Sequence, residues 1–280
     1  MTTQPSDSRS ASARPDEGVT YVFAVCRSTR GTSAWDVTGV AGMPGGDAVR
    51  LLTSDLLTAV VQTVPGSDFT DMVWQRRLSD RDEIERYARA HHSVVSAVAA
   101  HTAVVPLPLA TLYHDDTRAR QGLDQESDRF HAALKRIAHH AEWGVKVYEP
   151  PTPEPSQPRG DSVPQPDGGR GAPAPGAGLA YLNRKRGVQL QREKRREQAL
   201  AIADSVDAEL RGLAAASRRL RTHNVALSGD QRVHVLNATY LVADGRADEV
   251  RLLVETLEER TGARIELSGP WVPYSFVGEV

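Results

Sequence analysis

One stretch of this chain cannot fold by itself, and it constrains everything around it. Residues 149–178 hold nine of the seventeen prolines, six glycines and no aromatic residue. Proline lacks a backbone donor and glycine loses the most entropy on ordering, so such a segment builds no core and reads as a disordered insertion or linker. Folded structure must come from the residues on either side. A chain of 280 residues exceeds what one hydrophobic core usually serves, so two domains are expected. Whether the stretch separates them depends on the patterns that flank it.

Beyond the stretch, a long helix is expected from near Leu179 to about Arg221. Ala199, Ala203, Val206, Leu210, Leu213, Ser217 and Leu220 fall at an alternating four-three spacing that makes an apolar seam. A strand at Asn224–Leu227, a turn at Ser228-Gly229-Asp230 and a longer strand at Val233–Val242 follow. Asp244-Gly245 turns the chain into a helix over Ala247–Arg260, with Val250, Leu253, Val254 and Leu257 on one face and Thr261-Gly262 as its stop. Ala263–Leu267 reads as a last strand, before an aromatic tail at Trp271, Tyr274 and Phe276. On the near side, Trp143–Tyr148 reads as a strand. Counted from Val145, the order is strand, helix, strand, strand, helix, strand, the split βαβ arrangement of ferredoxin-like folds. The proline-rich stretch is then an insertion between the first strand and first helix of a second domain, and the domain boundary falls near Ala141.

The first domain starts after Met1–Gly18, which is rich in Ser, Thr, Asp and Pro and reads as a disordered tail rather than a signal peptide. Thr20–Cys26 is apolar and β-branched, as a buried strand is. Shorter strands are expected at Trp35–Val40, Val49–Leu52 and Leu56–Val64. A helix over Asp80–Ala100 places Ile84, Tyr87, Ala88, His91, Val95 and Val98 on one face, with Ser79 as its N-cap. The apolar run 104–112 contains Pro106 and Pro108. Proline cannot donate to a ladder, so this strand belongs at an edge, or starts only at Leu109. A further helix ends near His140. The fold class expected is α+β in two domains: a mixed α+β domain over 19–140 and a modified ferredoxin-like domain over 141–280, with a tail at 1–18 and the insertion at 149–178.

Little in the sequence carries chemistry. Net charge is -2 and the single cysteine, Cys26, excludes an intramolecular disulfide and a cysteine-based zinc site. A cytosolic protein is the simplest reading, and no window approaches the length of a membrane span. Gly39 to Gly46 holds four glycines and a proline, but no Gly-Lys-Ser/Thr follows, so turns are favoured over a phosphate loop. His91-His92 and His139-His140 are adjacent pairs, which on a helix diverge too far to clamp one ion. Cys26 has no histidine near it in sequence and reads as a small apolar core residue. Between Arg184 and Glu197 stand seven Lys or Arg against two Glu. Such a run is usually a solvated helix face, with docking to an acidic partner ahead of nucleic acid.

The assembled pattern resembles a known family, the gas vesicle proteins of the L/F type. Tyr21-Val22-Phe23-Ala24-Val25 opens it, then 88–95 (Ala-Arg-Ala-His-His-Ser-Val-Val), Pro106-Leu107 and Glu142-Trp143-Gly144-Val145-Lys146-Val147. Gly178-Leu179-Ala180-Tyr181-Leu182-Asn183-Arg184-Lys185-Arg186 and the closing 269–276 (Gly-Pro-Trp-Val-Pro-Tyr-Ser-Phe) complete it. The set covers nearly the whole chain outside the tail and the insertion. One departure is that the family more often carries Arg-Phe-Gly after Pro-Leu, where this chain has Pro108-Leu109-Ala110, so no role of that arginine is carried over.

The resemblance implies a cytoplasmic, gas-vesicle-associated accessory protein, either a minor component or an assembly factor. It would bind the small hydrophobic shell-forming protein and other accessory proteins and limit aggregation while vesicles nucleate. It implies no catalytic residues, cofactor or metal, and no nucleic-acid partner. Within the resembling motifs, Pro106, Leu107, Trp143, Lys146, Tyr181, Arg184, Lys185 and Arg186 are the candidate partner-binding residues. The alternative is a small-molecule or metal-dependent enzyme of ferredoxin-like class with an inter-domain site.

Overall fold

A computed structural model describes residues 18–28, 37, 39–148, 177–221 and 234–278, with 177–184 and 192 described as backbone alone. The expected tail, most of the insertion, and the strands at Trp35–Val40 and Asn224–Leu227 lie wholly or largely outside the described residues. The chain divides into two compact units, Met1–His140 with Val272–Val280, and Ala141–Trp271. The closing residues, expected in the second domain, therefore group with the first unit.

The first unit is an antiparallel sheet flanked by helices. Its strands are β1 (Gly18–Arg27), β2 (Arg50–Thr53), β3 (Leu57–Pro65), β4 (Val104–Pro106) and β5 (Leu112–Tyr113). The order is β2-β3-β1-β4, with β5 also pairing β1. Being central, β1 is buried from Tyr21 through Cys26, which is why its sequence is an unbroken apolar run. Its pairing with β3 shifts register between Val22 and Ala24. That bulge resets the alternation, so Tyr21 and Phe23, then Ala24 and Cys26, all join one core cluster. The same cluster takes Tyr87, Val94, Val95 and Val98 from α2 (Arg81–Ala99).

Around α2 the structure corrects two expectations. An additional helix, α1 (Asp71–Leu78), precedes it, and Ser79 belongs to the end of α1, its hydroxyl donating to the Gln75 carbonyl. The N-cap of α2 is Asp80, whose carboxylate accepts from the N–H groups of Asp82 and Glu83 at 3.0 and 3.2 Å. Ala88, placed on the apolar face by periodicity, is exposed, whereas Val94 is fully buried. The expected single helix before His140 is two, α3 (Asp116–Gln125) and α4 (Ser127–Ile137), broken at Glu126. Pro106 sits in β4 opposite Ala24, at the edge of the ordered strand path, so the strand starts at Val104 and not at Leu109.

The second unit runs β6 (His140–Tyr148), α5 (Ala177–Leu213), β7 (Ala216–Arg219), β8 (His234–Ala243), α6 (Ala247–Thr261) and β9 (Ile265–Trp271). Its sheet order is β7-β8-β6-β9. One face of that sheet carries Trp143, Val145, Val147, Leu236 and Tyr240 against Val206 and Leu210 of α5 and Val254 and Leu257 of α6. As expected, Gly262 stops α6 in the left-handed conformation, φ 64, its N–H bonded to the Glu258 carbonyl. The helix expected to reach Arg221 instead ends at Leu213, and Ser217, placed on its seam, lies in β7, with Leu220 just beyond it. The stop is tertiary. Arg246 donates to the Leu213 carbonyl at 3.0 Å, and the Ala215 N–H goes to Leu241 of β8. No alanine-rich sequence advertises such a partner.

Candidate interaction surfaces

Cys26 is fully buried, its thiol directed at the Thr58 carbonyl, and burial pushes its pKa up to about 12, far from a nucleophile's range. Among the described residues, no three His, Cys, Asp or Glu side chains gather as metal ligands. The glycine-rich turn at 39–46 is clasped by one side chain. Gln62 of β3 accepts from the Met43 N–H at 2.7 Å and donates to the carbonyls of Asp47 and Met43 at 2.7 and 3.2 Å. A Cβ at Gly42 or Gly46 would sit 2.4 or 2.5 Å from that carboxamide, so these glycines serve close packing and not phosphate approach.

His91 is a core histidine, but not a fully satisfied one. The Tyr21 hydroxyl accepts from the Ala110 N–H at 3.1 Å and shares a hydrogen bond with His91 Nδ1, 2.9 Å away. His91 Nε2 is buried without a well-formed partner. Burial lowers the pKa of His91 to about 4, and the neighbouring Leu107 backbone offsets only part of this. Ala110 itself holds φ 63, a conformation that suits glycine, at the position where the resembled pattern carries one.

This packing removes part of the expected contact set. Pro106 is buried in β4 and Leu107, half-buried, donates its N–H to the Phe23 carbonyl at 2.9 Å. Trp143 is 2% exposed, packed in the second unit's core with the Arg251 guanidinium 5.1 Å from its ring centroid. Both Pro106 and Trp143 therefore act as structural residues, and a partner does not reach them. They were named because they lie in the motifs that carry the resemblance, and such motifs hold core residues as readily as contact residues.

Lys146 projects from the opposite side of β6, 3.7 Å from Glu266 of β9. It lines a shallow groove of about 200 Å³ with Asn237, Leu220, Ser268 and Trp271. Trp271, half exposed, is the apolar residue of this groove that sequence reasoning placed in a tail. Away from the groove, Asp207 is 2% exposed and joins three elements. It accepts from the Tyr240 hydroxyl at 2.7 Å and pairs with Arg219 and Arg211. Burial acts to raise its pKa, but those hydrogen bonds and cations outweigh it and hold the carboxyl low. The Tyr240 hydroxyl is driven up by the same burial and the same carboxylate.

The remaining candidates lie on the first half of α5. The side chains of Tyr181 and Arg184 are outside the described residues, while Lys185 and Arg186 are exposed. So is nearly every described side chain as far as Gln198, including Leu190 at 66% and Val188 at 45%. Burial begins at Ala199, the first residue of the four-three seam. Sequence reasoning read that seam but not its consequence, that in the half without one the described side chains stay mostly exposed.

Comparison with known proteins assigns this architecture. A curated relative, gas vesicle protein L of Streptomyces sp. (strain CB03234), is 37% identical over 258 residues, covering 92% of each chain. The crystal structure of gas vesicle protein GvpF from Anabaena sp. PCC7120 superposes with a TM-score of 0.63 at 16% identity, covering 94% of this chain and 97% of that one. GvpF from Microcystis aeruginosa gives 0.58 at 15% identity, over 93% and 99%. At these identities the two crystal structures speak to the fold, a mixed α and β architecture. The family profile described as gas vesicle synthesis protein GvpL/GvpF matches residues 19–278, and the chain belongs to that family.

Proposed function

We propose that this protein is an assembly factor that binds the small hydrophobic shell-forming protein and other accessory proteins, and limits aggregation while vesicles nucleate. The observation that carries the reading is the family match, which spans residues 19–278 and underwrites a gas vesicle accessory role. The structure supports the finer part through surface that its own core leaves unused. The first half of α5 exposes Val188 and Leu190, and the groove beside Lys146 exposes Trp271. Surfaces of this kind shield apolar segments of a client until they find their own partners. In this reading the second unit is a modified ferredoxin-like domain beginning at Ala141, the β6-to-α5 connection is an insertion in it, and the protein works in the cytoplasm and at the vesicle.

The enzyme alternative draws no support from the family match, which is to gas vesicle synthesis proteins.

Co-expression with the shell protein, followed by pull-down and sedimentation, tests the proposal. Recovery of the shell protein on this chain, with a larger soluble fraction than without it, is expected. Neither recovery nor a change in solubility would remove direct chaperoning of the shell protein from the account.

A further inference from the structure

The sheet of the second unit uses its two faces differently. Leu236, Ala238 and Tyr240 of β8 and Trp143, Val145 and Val147 of β6 belong to the core beneath α5 and α6. The residues between them point the other way, as strand alternation requires, and Gly144, Lys146, Asn237 and Thr239 line the groove there with Glu266 and Ser268 of β9. Thr239 is the anomaly. It is 7% exposed, and its hydroxyl has no hydrogen-bond partner. An unpartnered buried hydroxyl costs stability, so its place in the lining of a groove asks for a reason. Gly144 keeps the floor low, since a Cβ there would stand 2.6 Å from Ser268 Oγ. The other polar groups have spent donors inside the unit. The Ser268 hydroxyl donates to the Gly144 carbonyl at 3.4 Å, an Asn237 amide N–H to the Arg221 carbonyl at 3.2 Å, and the Tyr148 hydroxyl to Glu266 Oε2. Lys146 stands 3.7 Å from Glu266 Oε1, farther than the ~2.7–2.9 Å of a close charge-assisted hydrogen bond. Glu142, also in the lining, and Arg218, opposite Thr239 in β7, already have partners of their own. What the groove has left to offer is mainly acceptors, between apolar walls made by Trp271, 50% exposed, and Leu220, 38% exposed.

We infer that the groove receives one arginine side chain from a partner protein, its guanidinium lying on the Trp271 ring and donating to Glu266, Asn237 and Thr239. A guanidinium is planar, donates without accepting, and stacks on indole, which complements a lining rich in acceptors beside a half-exposed tryptophan. That lining carries two carboxylates, Glu142 and Glu266, against the ammonium of Lys146, so it disfavours phosphate and carboxylate ligands. A lysine would supply a compact charge, but neither the plane nor the fork of donors. At about 200 Å³ the groove admits a side chain while the rest of the partner stays outside, whereas small-molecule sites run to ~300–1,000 Å³. Arginine is among the residues that most often serve as such anchors at protein interfaces. The inference rests on the accessory-protein reading only for the partner being a protein.

The test uses the full chain and needs no partner. The probe is acetyl-arginine methylamide, with its citrulline counterpart (nearly the same shape, no charge) and its lysine counterpart as controls. The readout is the Trp271 indole N–H in NMR spectra, assigned by its loss in W271F. The arginine probe is expected to shift that signal saturably, with a dissociation constant of about 1–10 mM for one anchoring side chain, and the controls to bind at least about fivefold more weakly. E266Q should weaken the arginine probe about fivefold and T239V about threefold. T239V gives the sharper contrast. It replaces the hydroxyl with a methyl of similar size, so it is expected to hold or raise the melting temperature while binding weakens. A hydroxyl with only a structural role would show the reverse, a lower melting temperature and unchanged binding. That reverse result would overturn the inference. So would equal shifts from the citrulline or lysine probe, a shift from inorganic phosphate in place of the arginine probe, or no saturable shift at all. Failure here separates from failure of the wider reading. If the arginine probe does not bind while the shell protein is still rescued, only the groove assignment falls. If the probe binds and no gas vesicle protein is recovered on this chain, only the accessory reading falls.

Discussion

Gln62 lies 2% exposed in a mostly apolar strand, and the three hydrogen bonds of its carboxamide fix the turn at 39–46 against β3. Replacement with leucine keeps the volume but strands the buried Met43 N–H and takes the side-chain donor from the Asp47 carbonyl, at about 1–3 kcal/mol for an unsatisfied buried group. Gln62→Leu is therefore expected to destabilise the protein by about 3 kcal/mol, read as a lower urea midpoint with an unchanged slope. His91 yields a prediction in pH. Its folded pKa, about 4, lies below the unfolded value, so between the two the unfolded chain binds the extra proton. Stability must fall as the pH drops through about 6.5 and stop falling below about 4, by up to about 3 kcal/mol at this one residue. His91→Phe should flatten that part of the difference curve, and the imidazole followed by NMR in the folded protein should titrate near 4. Of these two residues the sequence disclosed half. The periodicity of 84–98 put His91 on the buried face, but nothing local says that a glutamine will hold a turn formed some twenty residues earlier.

At the level of elements, legibility followed where each boundary gets its support. Gly262 ends α6 by a backbone conformation that glycine alone adopts cheaply, so the stop is written in the sequence. The end of α5 depends on Arg246 reaching the Leu213 carbonyl from another element, and the three alanines after Gly212-Leu213 hide it. The same reasoning bears on the interior of α5. Gly187 lies in its exposed half, where a Cβ would meet nothing within 4 Å. Glycine in a helix interior costs about 1 kcal/mol relative to alanine, and no tertiary packing there masks the cost. Gly187→Ala is expected to slow amide exchange from 185 to 197 severalfold and leave exchange in α6 unchanged. Unchanged exchange on both helices would mean that the extension is held by something other than its own propensity.

Across the whole molecule, the larger strands and helices were readable from their apolar spacing, whereas α1, β7 and the allocation of the last nine residues were not. Trp271, Tyr274 and Phe276 looked like one aromatic tail of the second domain. The division falls within that run: β9 ends at Trp271, and Val272–Val280 group with the first unit, where Val272 packs on the core cluster and Phe276 is 6% exposed. The Tyr274 ring lies 6.0 Å from that of His92, and burial raises the tyrosine pKa to about 12. Sequence position assigned these residues to the neighbour they follow; burial assigns them to the unit whose apolar surface they cover. A chain ending at Trp271 should then lose stability in the part of the molecule farthest from the cut in sequence. Removing a buried phenylalanine together with a packed valine costs about 3–5 kcal/mol. Hydrogen exchange of the shortened chain should show protection falling in β1 and α2, with β8 and α6 little changed. If protection instead falls first in β9 and α6, the closing residues stabilise the second unit, and the division of the chain at Trp271 is wrong.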